Sequence, residues 1–182
     1  KAIGEGDYSE VLKFDTREEV RFHLGWERQS GISWYPFKKD AVILEVGGEF
    51  GAMTGALCDR AGRVIVTESS LFHAAAIKDR YASRDNLEIY AGLADEMEFS
   101  CEFDYIIIFG IVNRIGNQAV MDVPYIRALN HLGRFLKPGG KFLLTTDNLY
   151  SLSNCQNGAA LNPWNHNRLL HKAQISRILE KS

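Results

Sequence analysis

Five short apolar runs recur along the chain: AVILEV (41–46), RVIVTE (63–68), NLEIYA (86–91), FDYIIIFGIV (103–112) and KFLLTT (141–146). Runs of this length without polar alternation suit strands covered on both faces rather than strands with one face in water. Parallel neighbours need crossover connections, and the stretches between the runs have helical spacing and can supply them. The expected fold class is therefore α/β, a doubly wound and mostly parallel sheet with helices on both faces. Helices are expected over AMTGALCDRAG (52–62), SLFHAAAIKDRYAS (70–83) and VPYIRALNHLGRFLKPGG (123–140). The last has Pro124 in its first turn, Ile126, Leu129, Leu132 and Leu136 at helical spacing, and a Pro-Gly-Gly stop. Ahead of the sheet, TREEVRFHLGWERQS (16–30) has the capping-box spacing of Thr16 and Glu19 and predicts one helix, with a break at Pro36.

A chain of 182 residues suits one domain. It divides into a helical lead-in (1–40), a core (41–147) and a loop with a terminal helix (148–182). The polar stretch 147–167 has neither strand nor helix period and is expected to be a long loop, a feature that is usually functional when ordered. A net charge of −2 gives no footprint for a nucleic acid partner or an anionic membrane. No apolar run approaches the ~20 residues that span a bilayer, so no membrane insertion is expected. Cys58, Cys101 and Cys155 are few and far apart, which fits a reducing, cytoplasmic setting. The five histidines show no metal-binding spacing, and no metal is expected. The chain starts without Met and stops inside a helical pattern, as a part of a longer multidomain protein would.

The segment LEVGGEFGAMTG (44–55) lies where the first strand hands over to the first crossover helix. In open α/β sheets this turn is the usual ligand cradle. Gly47 and Gly48 allow a sharp turn with close approach to a ligand, and Gly51 allows the next helix to begin near the sheet. A helix starting around Ala52 would aim free N–H groups at a carboxylate or phosphate. Glu68, 21 positions after Gly47, ends the second strand, where a carboxylate can accept both hydroxyls of a ribose. Loop and acid together describe an adenosine site. A nicotinamide fingerprint would need glycine at 49 and near 52, where the chain has Glu49 and Ala52. An NAD-dependent oxidoreductase is accordingly disfavoured. Glu45, before the first glycine, can orient the loop and reach the amine of a bound amino acid, which favours S-adenosylmethionine as the cofactor.

VILEVGGEFGAMTGALCDRAGRVIVTE (42–68) resembles the first two motifs of class I S-adenosylmethionine-dependent methyltransferases: an acid, a Gly-x-Gly-x-Gly loop and an acid closing the second strand. LGRFLKPGGKFLLTT (132–146) is similar to the helix, turn and fifth strand of that family. WYPFKKDAVILEVGG, RDNLEIYAG, FDYIIIFG and LKPGGKFLLTTDN further resemble methyltransferase domains of bacterial proteins that carry glycosyltransferase modules, and the likeness runs from about residue 30 to 148. Glu49 stands where the family has its middle glycine. Leu93 falls where relatives often carry the acid or amide that contacts the adenine amine, which leaves Ala94 and Asp95 as the candidates there. After the fourth strand the chain has FGIVNRIG (109–116) in place of the Pro-Pro motif of nucleic-acid amino-methyltransferases, so methylation of a base is disfavoured. Phe109 and Gly110 are expected to border the cofactor, with Asn113 just beyond.

The resemblance implies a methyltransferase that binds S-adenosylmethionine through Glu45, Gly47, Gly48, Gly51, Glu68, Ala94, Asp95, Phe109 and Gly110. Its acceptor would be a small molecule or a glycan hydroxyl, with the lead-in helix and the 147–167 loop as lid elements. No catalytic residue is assigned, because methyl transfer from a sulfonium is driven largely by alignment and needs a general base only for poorly acidic acceptors. An inactive methyltransferase-like scaffold within a glycan-assembly protein is the alternative. Trp26, Trp34 and Tyr35 are candidates to roof the pocket, and Asp104 reads as a strand-end residue.

Overall fold

The computed structural model describes residues 8–112, 115, 124–146 and 176. The expected 147–167 loop, the terminal helix pattern apart from Ser176, and Asn113 lie outside these residues. Five parallel strands form one sheet in the order β3-β2-β1-β4-β5: β1 (Val42–Val46), β2 (Arg63–Glu68), β3 (Leu87–Ala91), β4 (Phe103–Phe109) and β5 (Leu136–Thr145). The order reverses between β1 and β4, the point at which open α/β sheets leave a crevice beyond their carboxyl ends. The expected doubly wound class is the one observed.

Helices α4 (Thr54–Cys58) and α5 (Leu71–Arg80) cover one face and α6 (Pro124–Gly133) the other, which divides the core in two. On the first face Ile43, Val64, Val66 and Ile107 meet Leu57, Ile77 and Tyr81. On the second, Leu44, Ile65, Ile106 and Ile108 meet Ala128, Leu129 and Leu132. Strand alternation produces this split, since neighbouring residues of one strand point to opposite faces. Each fully buried Ile or Leu contributes roughly 1.5–3 kcal/mol, so the two apolar clusters dominate the stability of the sheet.

Three elements depart from the sequence expectation. The lead-in is not one helix over 16–30. It forms α1 (Ser9–Phe14), α2 (Glu18–Leu24), a 3₁₀ turn (Trp26–Gln29) and α3 (Ser30–Ser33). Gly25 is extended, with φ −69° and ψ 150°, and ends α2. The Thr16–Glu19 capping box does not form: Arg17 occupies the cap position without a side-chain cap bond, and Asp15 instead accepts the Arg17 N–H at 3.1 Å. The helix after the glycine loop is shorter than 52–62, because Ala52 and Met53 are still in the turn. Helix α6 ends at Gly133, and Leu136 pairs with Phe103 as a strand residue rather than continuing the helix.

The Pro-Gly-Gly segment therefore lies within β5, where the register steps from Phe103 opposite Leu136 to Tyr105 opposite Lys141. Gly140 suits this bulge, since a Cβ there would be 2.9 Å from the Lys137 carbonyl oxygen and 3.0 Å from that of Phe103. Lys137 leaves the bulge to donate to Asp104 Oδ2 at 2.7 Å, and the Val42 N–H donates to the same oxygen at 3.0 Å. Asp104 thus ties β1, β4 and β5 together at the end of the sheet remote from the glycine loop. Burial works to raise its pKa, but the hydrogen bonds from Lys137 and Val42 outweigh it and hold the carboxyl below its ordinary value.

Candidate cofactor site

At the carboxyl ends of β1, β2 and β4 a cavity of about 280 Å³ opens between the glycine loop, the β2–α5 turn and the segment after β3. Its polar wall is Glu49, Thr67, Glu68, Ser69, His73 and Asp95. The apolar wall is Val46, Leu93, Ala94, Ile111, Ile115, Ala128 and Leu132, with Gly47 and Gly92 between the two. A pocket mainly apolar with a few convergent polar groups is the usual form of a small-molecule site.

Glu68 is 5% exposed and is already held by the loops around it. Its Oε2 accepts the Glu49 N–H at 2.8 Å, and its Oε1 accepts the Ser70 N–H at 3.0 Å and the Ser69 hydroxyl at 3.4 Å. His73 Nδ1 stands 3.5 Å from Oε1. A carboxylate has about four acceptor positions, and these three bonds leave one on Oε2 for a ligand hydroxyl. Ser70 caps α5 by accepting the His73 N–H at 3.4 Å, and this cap sets where the helix starts and hence where His73 faces the cavity.

The glycine loop leaves β1 through Gly47, whose N–H donates to the Thr67 carbonyl at 2.8 Å. Gly47 has φ 74°, and a Cβ there would strike Ile111 at 2.1 Å, so glycine is required both for the turn and for the contact with the segment after β4. Gly48 and Gly51 face inward instead. Gly48 packs against Val66 and Ile77, and the Gly51 carbonyl accepts the Tyr81 hydroxyl at 2.6 Å. Both glycines shape the loop from behind and are not on the cavity wall.

Glu45 is 2% exposed and lies beneath the loop, where its Oε2 accepts the Thr54 hydroxyl at 2.7 Å. The alternation of β1 puts Glu45 on the α4 face with Ile43, while Val46 faces the cavity. Burial pushes its carboxyl up to about 7, against the Thr54 hydrogen bond. Glu45 therefore ties the end of β1 to the start of α4 and is not among the residues that line the cavity.

Glu49 has φ 51°, in the left-handed region that favours glycine. Its side chain edges the cavity, but its Oε2 is drawn 2.6 Å from Arg28 Nη1 on the lead-in, with His23 Nδ1 at 3.7 Å. Burial lowers the pKa of His23, outweighing the pull of Glu49. The Arg28 pair takes the carboxylate toward the protein rather than across the hollow.

Ala94 and Asp95 line the cavity, in the 3₁₀ turn Ala94–Glu96, and Leu93 joins them. Phe109 and Gly110 do not. Phe109 turns its ring to the other face, against Gly31, and the Gly110 N–H donates to Thr145 Oγ1 at 2.9 Å and to the Thr145 carbonyl at 3.0 Å. Ile111 and Ile115 form that wall instead. The aromatic roof is also absent from the cavity wall. Trp26 and Trp34 are each 71% exposed, and Tyr35 packs on Phe37 and Tyr105. Among the described residues no group of His, Cys, Asp or Glu could hold a metal ion. Thr67, Ser69, His73 and Arg28 were not legible as site residues. The first three flank the expected acid and could have been found from that position, whereas Arg28 comes from a separate element with no motif around it.

No family model and no curated protein sequence matches the chain. Solved structures do. The N-methyltransferase NodS from Bradyrhizobium japonicum WM9, in complex with S-adenosylhomocysteine, is similar at 17% identity and a TM-score of 0.63, over 97% of this chain and 80% of that one. A complex of the Haloferax volcanii Trm112 methyltransferase activator with a methyltransferase matches at 17% identity and a TM-score of 0.69, over 97% and 76%. The glycopeptide N-methyltransferase MtfA, complexed with S-adenosylmethionine, matches at 21% and 0.55, over 66% and 53%. The five-stranded parallel sheet and its helices thus have the Rossmann-like fold of the S-adenosylmethionine-dependent methyltransferases.

Proposed function

We propose that the chain is a methyltransferase that binds S-adenosylmethionine at the β1–β2–β4 crevice, with the adenosine half in the cavity and its ribose on Glu68. The observation that carries the reading is the convergence of Glu68, Gly47, Ala94 and Asp95 on one cavity, although they lie far apart in sequence. The residues present fit the group. Glu68 keeps an acceptor position on Oε2 for a ribose hydroxyl. The Leu93–Ala94 segment and Ile111 supply apolar surface for a base, with Asp95 as its polar neighbour. Gly48, Gly51 and Glu45 belong to the same reading as residues that shape the loop, and Phe109 and Gly110 as residues that set the path of the segment after β4.

When bound, the cofactor supplies an electrophilic methyl group on a sulfonium. The protein's part is to bind and align it, and this accounts for most of what such a transfer requires. The acceptor is proposed as a small molecule or a glycan hydroxyl, in a protein that works within or beside a glycan-assembly machinery. That NodS and MtfA are N-methyltransferases supports a nitrogen acceptor as a second reading. An amine acceptor needs no strong base, and His73 is the one histidine on the cavity wall among the described residues.

A thermal-shift titration with S-adenosylmethionine, S-adenosylhomocysteine and NAD, run beside Glu68→Ala, tests the proposal. Stabilisation by the first two ligands only, abolished in Glu68→Ala, is expected. Stabilisation by NAD would favour an oxidoreductase. No response to any ligand would sink the cofactor reading and leave a methyltransferase-like scaffold.

A further inference from the structure

We propose that Arg28 is a positioning residue of the cofactor site and acts through Glu49; this rests on the adenosine reading above. The glycine loop carries three consecutive alternate positions in the left-handed region: Gly47 at φ 74°, Glu49 at φ 51° and Gly51 at φ 75°. Glycine adopts this backbone freely, whereas a residue with a Cβ is disfavoured there by roughly a factor of ten. Among the described residues Glu49 is the one non-glycine residue that adopts it. Its conformation matters to the site because its N–H, at this φ, donates to Glu68 Oε2 at 2.8 Å. If residue 49 relaxed to negative φ by rotation of the 48–49 peptide plane, that N–H would turn away and Glu68 would lose one of the bonds that fix its carboxylate on the cavity wall.

The Arg28 pair opposes that relaxation. Arg28 Nη1 lies 2.6 Å from Glu49 Oε2, and the two side chains are only 14% and 16% exposed, so solvent screens the pair weakly. Arg28 is itself held in place, with its guanidinium 4.3 Å over the Phe22 ring and the neighbouring Gln29 amide donating to the Ala52 carbonyl at 3.4 Å. It does not line the cavity, so its effect on a ligand is transmitted through the loop. The lead-in thereby supports, through the Arg28–Glu49 pair, the loop conformation that a glycine at position 49 would adopt without help.

The proposal predicts a specific dependence of one residue on the other. Isothermal titration calorimetry of the full chain with S-adenosylhomocysteine and S-adenosylmethionine reads it out. Arg28→Ala is expected to weaken both ligands by about fivefold to tenfold. Glu49→Gly, which can hold the loop unaided, is expected to remove the dependence on Arg28, so that adding Arg28→Ala to it costs nothing further relative to Glu49→Gly itself. Should Arg28→Ala fail to fold by circular dichroism, Arg28→Lys replaces it, with a smaller loss that Glu49→Gly again removes. Equal losses from the Arg28 change in both backgrounds would mean that Arg28 touches the ligand or supports the fold generally, and would overturn the proposal. A wild-type chain that binds neither ligand would instead overturn the adenosine reading, and this inference with it.

Discussion

A buried carboxyl is the residue whose environment departs most from its surroundings in the sequence. Glu45 looks from its motif like an acid that reaches a ligand amine, yet it lies beneath the loop, where its Oε2 accepts the Thr54 hydroxyl at 2.7 Å, and burial lifts it from 4.5 to about 7. Between these two values the folded chain retains a proton that the unfolded chain has released. Stability therefore falls as pH rises through that window and levels off above it. Glu45→Gln removes the charge and keeps the shape. It is expected to raise the free energy of unfolding by on the order of 1–3 kcal/mol at about pH 8 and to change it little at about pH 4. Urea unfolding at the two pH values checks this; equal effects at both would mean that the carboxyl is not held neutral by the fold. Such a group can tolerate burial because a protonated acid still offers one donor and one acceptor to its neighbours.

At the scale of elements, the strands were legible and the helix ends were not. RVIVTE is β2 residue for residue, and the other strand cores fall where their apolar runs lie, because burial on both faces leaves little choice of residue. Helix ends are set by local competition. Gly25 interrupts the lead-in because it takes an extended backbone, and Asp15 binds the Arg17 N–H ahead of any capping by Thr16. The Pro-Gly-Gly segment became a bulge in β5 because Lys137 is drawn to Asp104, a partner 33 positions away that no local pattern announces. Asp104→Ala is expected to cost about 1–3 kcal/mol, since it leaves the Val42 N–H and Lys137 without their acceptor. The sign of its pH dependence is opposite to that of Glu45. With its folded pKa below the ordinary value, the contribution of Asp104 is present above that value and is lost as pH falls through the folded pKa. Chemical denaturation of wild type and variant across the acid range measures both quantities, and a variant as stable as the wild type at neutral pH would refute the tie.

At the scale of the whole molecule, the lead-in is part of the core rather than an appendage. Ile32 of α3 is fully buried in the same cluster as Ile43, Leu57 and Phe109. Arg80 of α5 donates to the Phe50 carbonyl at 2.7 Å and the His23 carbonyl at 3.3 Å, which joins the glycine loop to α2. Ile32→Ala is expected to lower the free energy of unfolding by about 2–4 kcal/mol. A loss under about 1 kcal/mol would show that the lead-in folds apart from the sheet. By itself the sequence determined the strands, the parallel doubly wound class and the cavity acid Glu68, because the alternation of apolar runs with helical stretches permits few other arrangements. Only the tertiary structure decided which loop residues face the cavity, that Glu45 lies beneath it, and that Glu49 turns to Arg28. Those outcomes depend on which face each strand residue takes and on partners from separate elements, and close contacts between distant segments leave no periodic trace along the chain.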